Sequence, residues 1–172
     1  NSQGGDSQFG IVTFSSASSS IYPTQSKAMW KDKANLYSDI AGTSKTPQSV
    51  LCAANGGTKY DEGLQGAQRL LNSSREGALK EIYFISDGVP DDEALANDTA
   101  NSLKNIGIDI SGKKYPVQIA TVMMGTADDA KLKGIASIDK SGQSLHAKQV
   151  DSSKLAATLS NLAKNDIDDG TI

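Results

Sequence analysis

Two short segments carry side chains that suit the binding of a hard metal ion. In KEIYFISDGVPDD (Lys80–Asp92), an apolar run stops at Ser-Asp-Gly, so Asp87 follows directly after a predicted buried strand. In NGGTKYDEGL (Asn55–Leu64), two glycines precede a predicted helix, and Thr58 lies at or beside its first residue. A hydroxyl and a carboxylate, together with water, are oxygen ligands suited to Mg²⁺, Mn²⁺ or Ca²⁺. The two residues therefore predict a divalent-cation site if their loops meet.

Each residue also has a simpler structural interpretation. Thr58 could cap the helix that follows it, and Asp87 could cap the next helix, which begins near Pro90 or Asp91. Taken singly, neither residue distinguishes capping from metal binding. The pair favours the metal, because ligands of open parallel sheets bind outside the carboxyl ends of the strands.

The elements that must position these residues alternate between strands and helices. Continuous apolar runs predict strands covered on both faces, as in a parallel sheet between helix layers. The predicted strands are Phe9–Ser15, Lys80–Ser86, Tyr115–Gly125 and, with a weaker pattern, Ser144–Val150. Helical periodicity occupies Thr58–Ser74, Pro90–Gly107, Ala127–Ser137 and Asp151–Asn165. This alternation predicts a doubly wound, mostly parallel α/β sheet flanked by helices.

Two stretches do not fit this alternation. Residues 15–57 are polar and predict an edge strand with loops, including a short strand near Ala34–Ile40. Residues 166–172 are acidic and predict a linker, which leaves residues 1–165 as one domain.

Composition excludes several classes of function. A net charge of −3 and only two arginines argue against a nucleic-acid partner. No window is apolar enough to span a membrane, and the polar first residues do not form a signal peptide, so we expect an excerpt of a longer protein. The usual hydrolase, NTPase and dinucleotide motifs (G-x-S-x-G, the P-loop and G-x-G-x-x-G) do not occur.

Other titratable residues give weaker indications. His146, the only histidine, lies on the last predicted strand and is expected to have a structural or surface role. Asp128, Asp129 and Asp139 could join a second calcium site, or they could be solvated acids at helix starts.

Three blocks of the sequence resemble consecutive segments of a von Willebrand factor type A (vWA) domain: FGIVTFSS, GGTKYDEGLQGAQRLL and KEIYFISDGVPDD. The resemblance extends from Phe9 to Ala163, and its last segment is similar to A domains of large bacterial repeat adhesins. It implies a metal-ion-dependent adhesion site, where an acidic group of the partner completes the shell of a divalent cation. Thr58 would be the threonine ligand, and Asp87 would be the aspartate of the third loop.

The chain departs from the family pattern at its start. The family's first strand ends in D-x-S-x-S, whose serines bind the metal, and no such motif occurs here. That strand and the helix after it are missing from the chain, although the strand lies centrally between those beginning near Phe9 and Lys80. Buried backbone groups left unpaired cost about 1–3 kcal/mol each, and a whole strand of them would exceed a domain stability of about 5–15 kcal/mol. We therefore predict that another polypeptide segment fills the gap: a separate chain, an N-terminal piece or residues recruited from this chain.

Two functions follow from the resemblance, neither of them enzymatic. The first is a cell-surface or extracellular module that recognises a protein or surface ligand through the divalent cation. Lys59 and Tyr60, beside Thr58, are its candidate ligand-contact residues. The second is a structural or assembly domain of an adhesin or pilus with a degenerate or incomplete metal site. Neither function involves nucleic acid or membrane insertion.

Overall fold

The structure is a computed structural model that describes residues 8–16, 18–22, 31–32 and 56–167. The described strands are β1 (Gln8–Phe9), β2 (Ile11–Phe14), β3 (Ser18–Tyr22), β4 (Lys31–Asp32), β5 (Lys80–Ser86), β6 (Ile108–Ile110), β7 (Lys113–Tyr115), β8 (Val117–Met124) and β9 (His146–Val150). The described helices are α1 (Tyr60–Leu71), α2 (Glu93–Asn105), α3 (Asp129–Ile135) and α4 (Leu155–Ile167).

A parallel sheet in the order β5-β8-β9 is the centre of the described fold. β5 and β8 pair over their whole common length, from Lys80 with Val117 to Ser86 with Met123. Helices connect these strands, so the predicted α/β fold with a parallel sheet flanked by helices is confirmed. The predicted strand Lys80–Ser86 matches β5 residue for residue.

Helices cover both faces of this sheet. On one face, α1, α2 and α3 pack against alternate residues of β5 and β8; the core there includes Tyr60, Leu64, Phe84, Leu103, Ile119 and Leu132. On the opposite face, α4 contributes Leu162 to a smaller cluster with Ala120, Val122, Leu145 and Val150. Because both faces of β5 and β8 are buried, their sequences are continuous apolar runs and do not alternate with polar residues.

β2 and β5 do not pair with each other. β2 forms an antiparallel ladder with β3, while β5 bonds to β8 on its other side. A cavity of about 670 Å³ lies along both strands, lined by apolar groups that include Phe14, Ala67, Leu70, Phe84 and Leu159. Direct pairing of these two strands would have contradicted the prediction that another segment fills this gap.

Several elements differ from the sequence prediction. Gly10 separates β1 from β2, so the predicted strand Phe9–Ser15 is two short strands. β6 and β7 form a hairpin that was not predicted; its turn is Ser111-Gly112, with both φ values positive. α4 continues to Ile167, two residues into the predicted linker. The predicted strand near residues 34–40 lies outside the described residues.

His146 connects three elements of the sheet and helix layers. One ring nitrogen, Nδ1, lies 2.7 Å from the hydroxyl of Thr121 on β8, and Nε2 lies 3.0 Å from a carboxylate oxygen of Asp129 on α3. Lys148 Nζ donates to the other carboxylate oxygen of Asp129 at 3.1 Å. In this structure His146 therefore has the expected structural role.

The N-terminus of α1 is capped from a distant loop. Asp92, which precedes α2, accepts hydrogen bonds from the amides of Tyr60 at 2.9 Å and Asp61 at 3.0 Å. An acceptor at this position satisfies two of the amides that the first turn of a helix leaves unpaired. The bond also fixes the start of α1 against the loop that follows β5.

We predict that Asp92→Ala lowers the free energy of unfolding by about 1 kcal/mol, because α1 loses its cap. Urea denaturation followed by circular dichroism measures this change. Asp98→Ala, which removes an exposed carboxylate from the middle of α2, is the matched control and should have a smaller effect. Equal effects of the two substitutions would contradict the capping role.

Two glycines with the same positive φ angle allow a second stability test. Gly107 ends α2 and Gly112 lies in the β6–β7 turn, both at φ 81°. A Cβ at Gly107 would overlap the carbonyl of Tyr115, whereas nothing lies within 4 Å at Gly112.

We predict that Gly112→Ala costs about 1–2 kcal/mol, because alanine disfavours this left-handed conformation. Gly107→Ala should cost about 1–3 kcal/mol more, because the overlap adds to the same strain. Denaturation of both variants gives the difference, and equal midpoints would show that the Tyr115 backbone moves aside freely.

Candidate functional site

Loops from three parts of the chain meet at the carboxyl ends of β2 and β5. After β2, the carbonyl of Ser15 accepts a hydrogen bond from the amide of Lys59 at 3.0 Å, and Ser16 Oγ accepts one from the amide of Gly57 at 2.7 Å. After β5, the amide of Asp91 donates to the carbonyl of Thr58 at 2.9 Å. The segment before α1 is therefore held between the ends of both strands, and we call this edge of the sheet the rim.

Thr58 and Asp87 both lie at the rim. A Cβ added to Gly88 would overlap the hydroxyl oxygen of Thr58, so this hydroxyl lies directly against the residue after Asp87. On the other side, the Cβ of Asp87 lies 3.7 Å from the position that a Cβ would take on Gly125, after β8. Only a glycine at position 88 lets the threonine approach the end of β5 this closely.

Neither residue caps a helix. The N-cap position of α1 is Lys59, and the helix receives its side-chain cap from Asp92 instead of Thr58. The N-cap position of α2 is Asp92, five residues beyond Asp87. Within the described residues, the Thr58 hydroxyl and the Asp87 carboxylate make no hydrogen bond or ion pair.

Lys59 and Tyr60, the predicted ligand-contact residues, differ in their surroundings. Lys59 is exposed beside Thr58. Tyr60 is only 1% exposed and packs between Phe14 and Phe84, with ring centroids 6.3 and 5.0 Å away. Its hydroxyl donates to the carbonyl of Gly88 at 2.8 Å. The prediction that Tyr60 contacts a partner is therefore corrected: its aromatic ring is part of the core and supports the rim from below.

The rim has a negative electrostatic character. Burial is the main cause that raises the pKa of Tyr60 above its usual value, and the nearby carboxylates of Asp128, Asp87 and Asp92 raise it further. A hydrogen bond with Ser86 partly opposes them. Negative charge that disfavours ionisation of a phenol also attracts a cation to the same place.

Two further oxygen-bearing side chains lie at the rim that the sequence did not single out as ligands. A Cβ on Gly57 would come within 2.7 Å of Asp91 Oδ2 and 3.4 Å of Ser16 Oγ, so both groups lie around this glycine. Asp91 lies where the sequence predicts the start of a helix, and Ser16 directly follows the predicted strand Phe9–Ser15. Their position follows from the hydrogen bonds between loops, which leave no local sequence signal.

The donor set at the rim fits a hard cation. Hydroxyl and carboxylate oxygens are the ligands that Mg²⁺, Mn²⁺ and Ca²⁺ accept, and water completes such shells. Among the described residues, no three His, Cys, Asp or Glu side chains form a metal-binding cluster. Any cation at the rim would therefore depend on hydroxyls and water as well as on carboxylates.

The acids of the suggested second calcium site are engaged separately. Asp128 caps α3 by accepting from the amide of Lys131 at 3.2 Å. Asp129 binds His146, and Asp139 accepts from the amides of Ser141 and Gln143 within its own turn. These roles account for the three carboxylates without a metal.

Comparison with known proteins identifies the fold. The family model of the von Willebrand factor type A domain matches residues 2–162. A von Willebrand factor type A structure from Catenulispora acidiphila is similar with a TM-score of 0.68 and 18% identity, covering 95% of this chain and 35% of that one. Proximal thread matrix protein 1 from the mussel byssus is similar with a TM-score of 0.67 and 21% identity, covering 94% of this chain and 37% of that one.

The chain thus spans little more than a third of the length of these two structures. No curated protein sequence matches it. Within the described residues, no helix has the length and apolar character that crossing a membrane requires. The family match over residues 2–162 and the structural likenesses lead to one conclusion: this chain belongs to the von Willebrand factor type A domain family, whose members commonly mediate protein interactions.

Proposed function

We propose that the chain is a binding module that recognises a protein or surface ligand through a divalent cation held at the rim. The observation that carries this proposal is the position of Thr58 against Gly88, which brings its hydroxyl beside the residue after Asp87. The absence of a capping role for either side chain supports it further. The role is one of binding, not catalysis.

Thr58 would supply a neutral hydroxyl ligand, and Asp87 would bind the ion directly or through water. A divalent cation bound there would offer an open coordination position to an acidic group of the partner. The chain's own residues prepare this arrangement before a ligand arrives. Gly88 has no side chain, so Thr58 can lie directly against it. The amide of Asp91 and the carboxylate of Asp92 hold the loop to the start of α1.

An alternative function is structural: a spacing or assembly domain whose metal site is degenerate. The absence of D-x-S-x-S favours this alternative if the segment that fills the gap also lacks that motif, because two ligands of the family site then have no counterpart. Ser16 and Asp91 lie at the rim and carry oxygen atoms that would be substitutes for these ligands. Cation binding distinguishes the two functions.

We also propose that the cavity between β2 and β5 accepts an extended polypeptide segment. The carboxyl ends of both strands meet at the rim, so the two strands run in the same direction on either side of the cavity. A strand inserted there would pair with both neighbours and bury its side chains against Phe14, Phe84 and Leu159. The segment could belong to the same protein or to a partner.

A cell-surface or extracellular location is a further part of the proposal. Its support is the resemblance of the vWA segments to those of adhesive proteins. The partner would be a protein or surface ligand that carries an acidic group, because the rim cation and the exposed ammonium of Lys59 both complement negative charge.

We predict that isothermal titration with Mg²⁺, Mn²⁺ or Ca²⁺ detects binding to the wild-type chain. Asp87→Ala and Thr58→Val should each weaken it at least about tenfold, since each loses a ligand with a net worth of about 1.5–3 kcal/mol. Thr58→Ser keeps the hydroxyl and should retain most of the affinity. Asp98→Ala is the control for a lost carboxylate. Equal, negligible heats from the wild type and from Asp87→Ala would remove the cation site and leave the structural alternative.

The cavity proposal has its own test, in which an apolar seven-residue strand is fused to Asn1 through about 20 Gly/Ser residues. Such a linker spans about 25 Å, which matches the length of the strand, about 24 Å. We expect the fusion to raise the free energy of unfolding by about 3 kcal/mol or more through new hydrogen bonds and apolar burial.

Hydrogen exchange should show slower exchange of the β5 amides on the side away from β8. The control fusion carries a Gly/Ser heptapeptide in place of the apolar one. If both fusions unfold at the same urea concentration and protect β5 equally, the cavity does not accept a strand.

A further inference from the structure

A second cavity lies at the amino ends of β5 and β8, at the end of the sheet opposite the rim. Its volume is about 940 Å³, which is within the range of about 300–1,000 Å³ that is typical of ligand sites. Its walls are the end of α2, the residue before β5, the start of β8 and the segment after α3. We call it the base cavity. None of the groups described at the rim lines it, so the two places are separate.

The base cavity contains one ammonium group that has no acidic partner among the described residues. Lys104, in the last turn of α2, is partly buried, and its Nζ donates to the carbonyl of Ala136 at 3.3 Å. The negative end of the helix dipole favours a lysine here, but a neutral carbonyl leaves most of its charge uncompensated. Burial accordingly lowers the pKa of Lys104. A carboxylate bound beside Nζ would compensate this charge.

The other charged side chains of the cavity do not supply that carboxylate. Asp139 lines the cavity, but its Oδ1 accepts hydrogen bonds from the amides of Ser141 at 2.9 Å and Gln143 at 2.8 Å, within its own turn. Lys140 adds a second positive charge to the lining. Two lysines and one aspartate give the lining a net charge of +1, so the cavity favours an anionic ligand.

Apolar and amide groups lie around the same cavity. Leu79 and Ile138 both line it and are 64% and 63% exposed. Single exposed aliphatic residues are common, but two in the lining of one cavity offer a ligand apolar surface near the ammonium. Asn101 and Asn105, one helical turn apart on α2, add amide groups that can bond to the N–H and C=O groups of a peptide.

We propose that the base cavity binds the carboxyl terminus of a partner polypeptide whose last residue is aliphatic. The terminal carboxylate would bind Lys104 Nζ, and the aliphatic side chain would lie against Leu79 and Ile138. The asparagines would bond to the preceding peptide groups, which a fatty acid lacks. A single terminal residue carries both a carboxylate and an aliphatic side chain, so it complements both features of the lining. This binding needs no cation at the rim.

The test is an NMR titration of the ¹⁵N-labelled chain with the peptide acetyl-Ala-Ala-Ala-Leu, which has a free carboxyl terminus. EDTA is present throughout, so that the peptide cannot bind through a divalent cation at the rim. We expect saturable shifts of the amides of Lys104 and Ile138, while those of Thr58 and Asp87 stay unchanged. The same peptide with an amidated terminus should bind about tenfold more weakly, because the charge-assisted hydrogen bond is lost. Octanoate should also bind more weakly than the free-acid peptide.

Variants of the chain test each half of the site. Lys104→Met should weaken the free-acid peptide about tenfold, because it removes the ammonium and keeps an unbranched apolar side chain. Ile138→Ser should weaken it about fivefold through lost apolar contact. Lys133→Met and Val89→Ser are the matched controls, since both residues are exposed and neither lines the base cavity. Both controls should retain the wild-type affinity, and circular dichroism checks that every variant is folded.

Several results would overturn the inference. Equal affinities for the free-acid and amidated peptides would show that the carboxylate is not recognised, whether or not Lys104→Met folds. Wild-type affinity in a folded Lys104→Met, or an equal loss in Lys133→Met, would exclude Lys104 as the contact. Tighter binding of octanoate would make the cavity a lipid site, and shifts at Thr58 and Asp87 alone would move the peptide to the rim. An absence of saturable shifts at millimolar peptide would remove the site, and cation binding at the rim would be unaffected.

Discussion

The described site depends on one constraint: the loop after β5 is fixed to the start of α1. Three contacts form this connection, from Tyr60 to Gly88, from Asp91 to Thr58 and from Asp92 to the first amides of the helix. The two segments are about thirty residues apart in sequence, so the contacts fix a tertiary relationship and not a local turn. The contacts use backbone groups, the Tyr60 hydroxyl and the Asp92 carboxylate, and none of them involves the side chains of Thr58 or Asp87.

The core beneath the rim reinforces this connection. Tyr60, the first residue of α1, packs against Phe14 on β2 and Phe84 on β5, so its ring connects the helix to both strands. Phe14 and Phe84 also stack on each other, with centroids 4.9 Å apart. These rings hold together the ends of two strands that share no backbone ladder. Among the described residues, β2 and β5 share no hydrogen bonds, so aromatic packing holds their ends together at the rim.

The cavity between β2 and β5 bears on both the stability of the domain and the partners it could bind. Strands without a neighbour on one side present backbone groups that an added strand can satisfy. The proposed cation site lies at the carboxyl ends of β2 and β5, so a strand placed between them would also end at the rim. A domain of this kind would combine two forms of recognition, one through backbone pairing inside the sheet and one through charge at its edge.

The sequence by itself determined most of the regular elements. Apolar runs covered on both faces predicted β5 and β8, and Gly107 marked the end of α2, because such signals are local. The sequence also identified Thr58 and Asp87 as candidate ligands, although each residue taken singly could equally cap a helix. Tertiary structure removed the capping role, because the cap of α1 comes from Asp92, thirty-two residues away from Tyr60. It also decided that Tyr60 is buried and that Ser16 and Asp91 lie at the rim, since burial and contacts between loops depend on how distant segments pack.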